Sequence, residues 1–251
     1  MTPTDTSSQS PRPSGLQEAT CEQPRTVFIT CAALGKEVRA IIAKHGWDAD
    51  FQAIDAKLHL YPPRIVEAVE NRLDRTEGRY DRRIVVYGHC GAFDLDSLLE
   101  RRGAVRPLGP HCYEQYGGER FAQVLEEEPG TYILTDFLVR AWDAMVVRGF
   151  KLDQHPELKP LLFGNYRRMV YFAQEDDPEL LRRAEVIAGS VGLQLEVELV
   201  GYGDLERRLV AIMEDRAQPT AAMTHDGQTA PGDPNEASPS TSGKHPARAD
   251  G

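Results

Sequence analysis

The sequence predicts an α/β protein with a doubly wound, mostly parallel sheet of about six to seven strands and helices on both faces. Three observations predict it. From residue 26 onward, seven short strand-like runs are each followed by a helical pattern, the signature of repeated βα units. The alternation fills about 190 residues, enough for one domain with a substantial core. The flanks, 1–24 and 216–251, are rich in Pro, Ser, Thr, Gly and Asp and almost free of aromatic residues. They read as a disordered leader and a disordered tail around a single α/β domain at 25–215.

The first run, TVFIT at 26–30, leads into AALGKEVRAIIAKHG, where Leu34, Val38, Ile41 and Ile42 share one helical face. DFQAI at 50–54 follows, then a helix that opens at a proline and turns Ile65, Val69 and Leu73 inward. RRIVVYG at 82–88 precedes DLDSLLERRG, and AVRPL at 104–108 precedes HCYEQYGGERFAQVLEEEPG. Pro107 marks the end of its strand. TYIL at 131–134 precedes a helix capped by Thr135 or Asp136. RMVYFA at 168–173 precedes DDPELLRRAEVIAGSVG. QLEVELV at 194–200 precedes a helix that Asp204 can cap, with Leu205, Leu209 and Ile212 as its stripe. The aromatic residues Phe163, Tyr166, Tyr171 and Phe172 read as core packing and not as a base-stacking platform.

Composition excludes several classes of function. The net charge of −10 argues against nucleic acid as a partner, because phosphate binding needs a positive patch. No run reaches the length of a membrane span, and the N-terminus has no apolar secretory core. Four cysteines without such a signal point to the reducing cytoplasm, where thiols stay free for metals or chemistry. Neither GxxxxGK[ST] nor GxGxxG occurs, so the usual nucleotide-binding loops have no support.

In open parallel sheets, ligands bind beyond the carboxyl ends of the strands, and the reactive side chains of this chain fall there. Cys31 follows the first strand, His59 the second, His89 and Cys90 the third, and His111 and Cys112 the fourth. Asp136 follows the fifth, and Tyr202 and Asp204 the last. Cys21 lies in the leader. One reading is a metal site in which Cys31, Cys90 and Cys112 are joined by His59, His89 or His111. Sulfur with imidazole suits zinc, or alternatively iron. Another reading makes each cysteine a small buried residue at a tight turn. A third makes Cys112 or Cys31 a nucleophile at a helix start, with His89 or His111 as base. His89 ranks below His59, since neighbouring side chains in extended chain point opposite ways.

Gly88 and Gly91 in GHCG, and Gly117 and Gly118 in YGGER, could turn backbone amides toward a bound anion, with Asp136 on the same rim. Turn geometry is the alternative for all four glycines. Glu37 could approach the rim, while Asp94 and Asp96 read as caps.

Taken together, CAALGKEV, LHLYPPRI, YGHCG, GPHCYEQYGG and TYILTDFL resemble the family known as domain of unknown function 1638, over roughly residues 26–212. The resemblance places that family's cysteine and histidine positions on Cys31, His59, Cys90 and Cys112. It brings no reaction with it. Members of the family tend to be encoded near corrinoid-dependent methyltransferases and their activators. The resemblance therefore implies one-carbon metabolism: a zinc-dependent methyltransferase-type enzyme or subunit acting on a small-molecule substrate. The alternative it leaves is a non-catalytic module that binds a corrinoid protein or a tetrapyrrole-like ligand.

Overall fold

Every residue of Thr26–Cys31 (β1) is buried, as befits the central strand of a parallel sheet covered on both faces. It pairs in parallel with Ala49–Ile54 (β2) on one side and Arg82–Val86 (β3) on the other, giving the order β2-β1-β3. Gly35–His45 (α1) and Pro63–Thr76 (α2) connect these strands. The face of α2 is as expected, with Ile65, Val69 and Leu73 fully buried. The computed structural model describes residues 24–107, 109 and 111–214. The leader up to residue 23 and the tail at 216–251 lie outside these described residues, as does Cys21.

A second parallel sheet has the order β4-β5-β6, built from Thr131–Thr135 (β4), Arg168–Ala173 (β5) and Gln194–Leu199 (β6). The expectation of one continuous sheet of six to seven strands is thereby corrected. The chain makes two sheets of three strands each. The physical reason lies in the AVRPL run. Among the described residues of this run, only Val105 reaches β3: its amide donates to the Arg83 carbonyl (3.1 Å) and its carbonyl accepts from the Val85 amide (2.8 Å). Pro107 then has no amide to continue a ladder, and Gly109 bends away at φ +142°. With the fourth strand reduced to one bridge, β4 founds a separate sheet.

The helices that follow β3 are Leu95–Arg102 (α3), Cys112–Gly117 (α4) and Glu119–Glu127 (α5). The single helix expected over residues 111–130 is broken where Gly118 takes φ +53°. Asp136–Trp142 (α6) is capped by Thr135, whose hydroxyl accepts from the Leu138 amide (3.4 Å), and Asp143–Val147 prolongs it as a π-helical stretch. Lys159–Phe163 (α7) and Pro178–Val191 (α8) flank β5.

The last helix, Gly203–Met213 (α9), leaves β6 and returns to the first sheet. Its Leu205, Leu209 and Ile212 belong to the core that also holds β1 and β3. A Cβ on Gly203 would lie 1.9 Å from the Tyr116 carbonyl, so glycine lets α9 press against α4. All described residues belong to one compact unit. Among them, no helix is long and apolar enough to cross a membrane.

Leu209 is fully buried, so Leu209→Ala is expected to cost about 2–5 kcal/mol. Chemical denaturation should show one transition shifted to lower denaturant. An unchanged midpoint would mean that α9 does not tie the chain end to the first core.

Candidate functional site

Four chain segments deliver reactive side chains to the carboxyl end of the first sheet. Cys31 is the last residue of β1 and is buried. His59 lies in the 3-10 turn Ala56–Leu60, started by Asp55, which accepts from the Lys57 amide (2.9 Å). The turn closes on itself: the His59 Nδ1–H donates to the Ala56 carbonyl (2.7 Å). That fixes the tautomer and leaves Nε2 to face outward from the turn.

Cys90 occupies a tight turn beyond β3. Its φ is +44°, Gly91 follows at +79°, and the Ala92 amide donates to the His89 carbonyl (2.7 Å). These are the dihedrals and hydrogen bond of a type I′ turn, whose first central position is normally Asn, Asp or Gly. A cysteine there stores about 1 kcal/mol or more of backbone strain, of the kind that collects at functional sites.

Gly88 brings the fourth segment in. A Cβ at this position would lie 2.7 Å from the Cys112 amide nitrogen and 2.9 Å from the His111 carbonyl carbon. The chain at residues 111–112 thus rests directly on residue 88. Arg106 holds that loop in place from a buried position. It donates to Asp96 (2.5 and 3.1 Å) and to the carbonyls of Tyr87, Pro107 and Gly109 (3.4, 3.3 and 3.2 Å). Sequence reading missed Arg106 and assigned Asp96 to capping. A lone arginine inside an apolar run next to a proline is the only signal the sequence offered.

The thiols differ sharply in state. Hydrogen bonding from the Cys112 thiol, and from the His111 and His59 imidazoles against the opposing effect of burial, holds the Cys90 thiol well below its ordinary range. Burial acts to lower His59, yet its contacts with Cys90 and the Ala56 carbonyl win and raise it. The two shifts run in opposite directions, as attraction between a thiolate and an imidazolium makes them. Cys112 is pushed far up by its bond to the Cys90 sulfur and by burial. Burial likewise pushes Cys31 up to about 12. These directions favour Cys90 over Cys31 as the more acidic thiol, with Cys112 facing Cys90.

Tyr87 completes the floor. Its ring stacks on His59 (centroids 5.8 Å apart, 16° between planes), and its hydroxyl lies against Cys31. His89 turns its ring to the exposed Phe93 (5.1 Å, 67°) and takes no part in the thiol group. Among the described residues, no three His, Cys, Asp or Glu side chains form a group that could hold a metal ion.

The proposed glycine positions have local explanations. Gly91 and Gly118 take positive φ, and a Cβ on Gly117 would meet Phe121 and Phe172 at 3.0 Å. Asp136 is fully buried at the end of β4, accepting from the Tyr171 hydroxyl (2.6 Å) and the Gln174 amide (3.0 Å). It faces Glu37 of α1, whose carboxyl is raised first by burial and further by Asp136, with Tyr116 opposing. Asp204 is committed to Arg207 and Arg208 (2.8 and 3.2 Å).

The fold is that of an α/β protein with two short parallel sheets, and Cys90 and His59 lie beside one another beyond the first. Residues 53–209 match the model of the family described as "Protein of unknown function (DUF1638)", and since the match spans more than half of the chain, the protein belongs to that family. The match includes His59, Cys90, His111 and Cys112, while Cys31 precedes it. No curated protein matches the chain.

Gly88→Ala should drive residues 111–112 away and raise the Cys90 pKa. Ultraviolet thiolate absorbance followed through a pH titration would show this as a later onset; an unchanged onset would separate Gly88 from the site. Glu37 gives a second test. Because its folded carboxyl is raised, its contribution to stability is complete below about 4.5 and is lost as pH rises through the folded value. Glu37→Gln should flatten the decline of melting temperature between mildly acidic and neutral pH.

Proposed function

We propose that the protein carries out thiol-dependent group transfer with Cys90 as the nucleophile. The lowered Cys90 thiol, which Cys112, His111 and His59 all influence, held in a strained turn, supports this reading. A thiolate is the reactive form of cysteine, and imidazolium beside it keeps it ionised at neutral pH. In the step, the Cys90 sulfur lone pair forms the new bond to an electrophilic carbon while the leaving group departs with its electrons. His59 balances the charge beforehand, and Cys112 donates its S–H to the sulfur until attack. A methyl group is the simplest electrophile that the buried setting admits, in keeping with the one-carbon role the family resemblance implies. Its carrier is then a small molecule or a corrinoid protein.

The charged pair has a defined window. Cys90 contributes above its ordinary thiol value and loses that contribution as pH falls through its lowered folded value. His59 contributes below its ordinary value and loses it as pH rises through its raised folded value. Between the two folded values, the rate of Cys90 alkylation by iodoacetamide should be nearly flat in pH. Peptide mapping should find Cys90 modified first and Cys31 last. A rate that climbs about tenfold per pH unit up to the free-thiol range would overturn the reading.

A second reading keeps a soft metal, zinc or iron, on Cys31, Cys90 and Cys112 with His59 or His111. One observation favours it: His59 donates Nδ1–H to a backbone carbonyl, the arrangement that orients a ligating imidazole. Elemental analysis of protein purified without chelator decides it. Near-stoichiometric zinc or iron that Cys90→Ser removes supports the metal reading, and metal-free protein with intact Cys90 alkylation supports the nucleophile.

A further inference from the structure

Among the described residues, β4 pairs with β5 and with no strand on its other edge. Beside it lies an open cavity of about 300 Å³ walled by the rings of His111, Tyr113, Phe121, Tyr132 and Tyr166, with Leu125, Ile133 and Thr131 completing it. We propose that this groove binds a small molecule through a methylated ammonium group.

The ring geometry selects that chemistry. Tyr132 and Tyr166 meet at 83° with centroids 5.0 Å apart, and His111 and Phe121 meet at 62° with centroids 6.2 Å apart. Rings at such angles form the corners of a box, which suits a rounded ligand, whereas a flat aromatic ligand needs parallel walls. The quadrupole of each ring attracts a cation over its face, and cages of this kind recognise quaternary ammonium groups.

Charge points the same way. Among the described residues, none lining the groove is Lys, Arg, Asp or Glu, so an anion finds no countercharge there and a cation meets no fixed repulsion. Arg168 reaches the Thr131 hydroxyl (2.9 Å) from the strand side, but Glu127 and Glu196 clasp it (3.1 and 3.0 Å). Burial keeps the phenols of Tyr113, Tyr132 and Tyr166 protonated, so they offer neutral oxygens and uncharged ring faces. The chain's net charge of −10 raises the local concentration of cations. His111 forms one wall and also bears on Cys90, which places a bound ligand next to the thiol centre. The binding proposal itself does not require thiol chemistry.

Isothermal titration of the full chain compares choline with its neutral carbon isostere, in which carbon replaces the ammonium nitrogen. Choline is expected to bind at least about tenfold more tightly. Tyr166→Leu should abolish that preference and Tyr166→Phe should keep it, with circular dichroism confirming that both variants fold. Cys90→Ser should leave the preference intact, so this result stands apart from the alkylation test. Equal affinity for the two compounds, or no binding of choline at millimolar concentration, overturns the proposal.

Discussion

The contact between Gly88 and the backbone of His111 and Cys112 is the constraint on which the rest of the molecule depends. No side chain fits between these segments, so the loop after Val105 can fold back across the end of β3. Arg106 fastens it there through three backbone carbonyls and Asp96. That return has two consequences. It leaves Val105 with a single bridge to β3, and the first sheet ends at three strands. It also sets Cys112 and His111 against Cys90. The break in the sheet and the assembly of the site are therefore one structural event.

Electrostatics then separates three thiols that the chain treats alike. Cys31 is surrounded by the core and stays protonated. Cys112 is raised by its hydrogen bond with Cys90 and by burial. Cys90 is the acceptor of that bond and the neighbour of two imidazoles. Strain at the Cys90 turn costs about 1–3 kcal/mol, and the thiolate–imidazolium attraction offsets it. Asparagine or glycine would satisfy the turn at lower cost.

The alternation of strands and helices was legible because burial of parallel strands forces apolar runs, and the faces of α1, α2 and α9 followed from their spacing. The division into two sheets was not. AVRPL has the composition of a strand, but Pro107 has no amide to continue a ladder and Gly109 turns away, so Val105 forms a single bridge. The rim was legible from strand ends only in part: His59, His111 and Cys112 all bear on the Cys90 thiol, but among the described residues no three such side chains form a group that could hold a metal ion. Their states were not, since a lowered or raised thiol depends on which donor faces which sulfur. The roles of Gly117 and Gly118 were read as open alternatives, and Phe172 and the φ at residue 118 account for them. Tyr87 escaped notice because it continues an apolar run, although its ring stacks under His59.

The helix α4 connects this chemistry to the other half of the protein. Cys112 opens it, and Tyr116 lies one turn further on, beside Glu37 of α1. The Tyr116 carbonyl receives Gly203, where α9 begins its return from the second sheet. Glu37 in turn faces Asp136 at the end of β4. A short helix of six residues has too few internal hydrogen bonds to hold its own position. Its placement is set by α9 on one side and by the Gly88 contact on the other. The position of the Cys112 thiol, and with it the charge on Cys90, thus depends on the second sheet being folded and on α9 reaching back to the first.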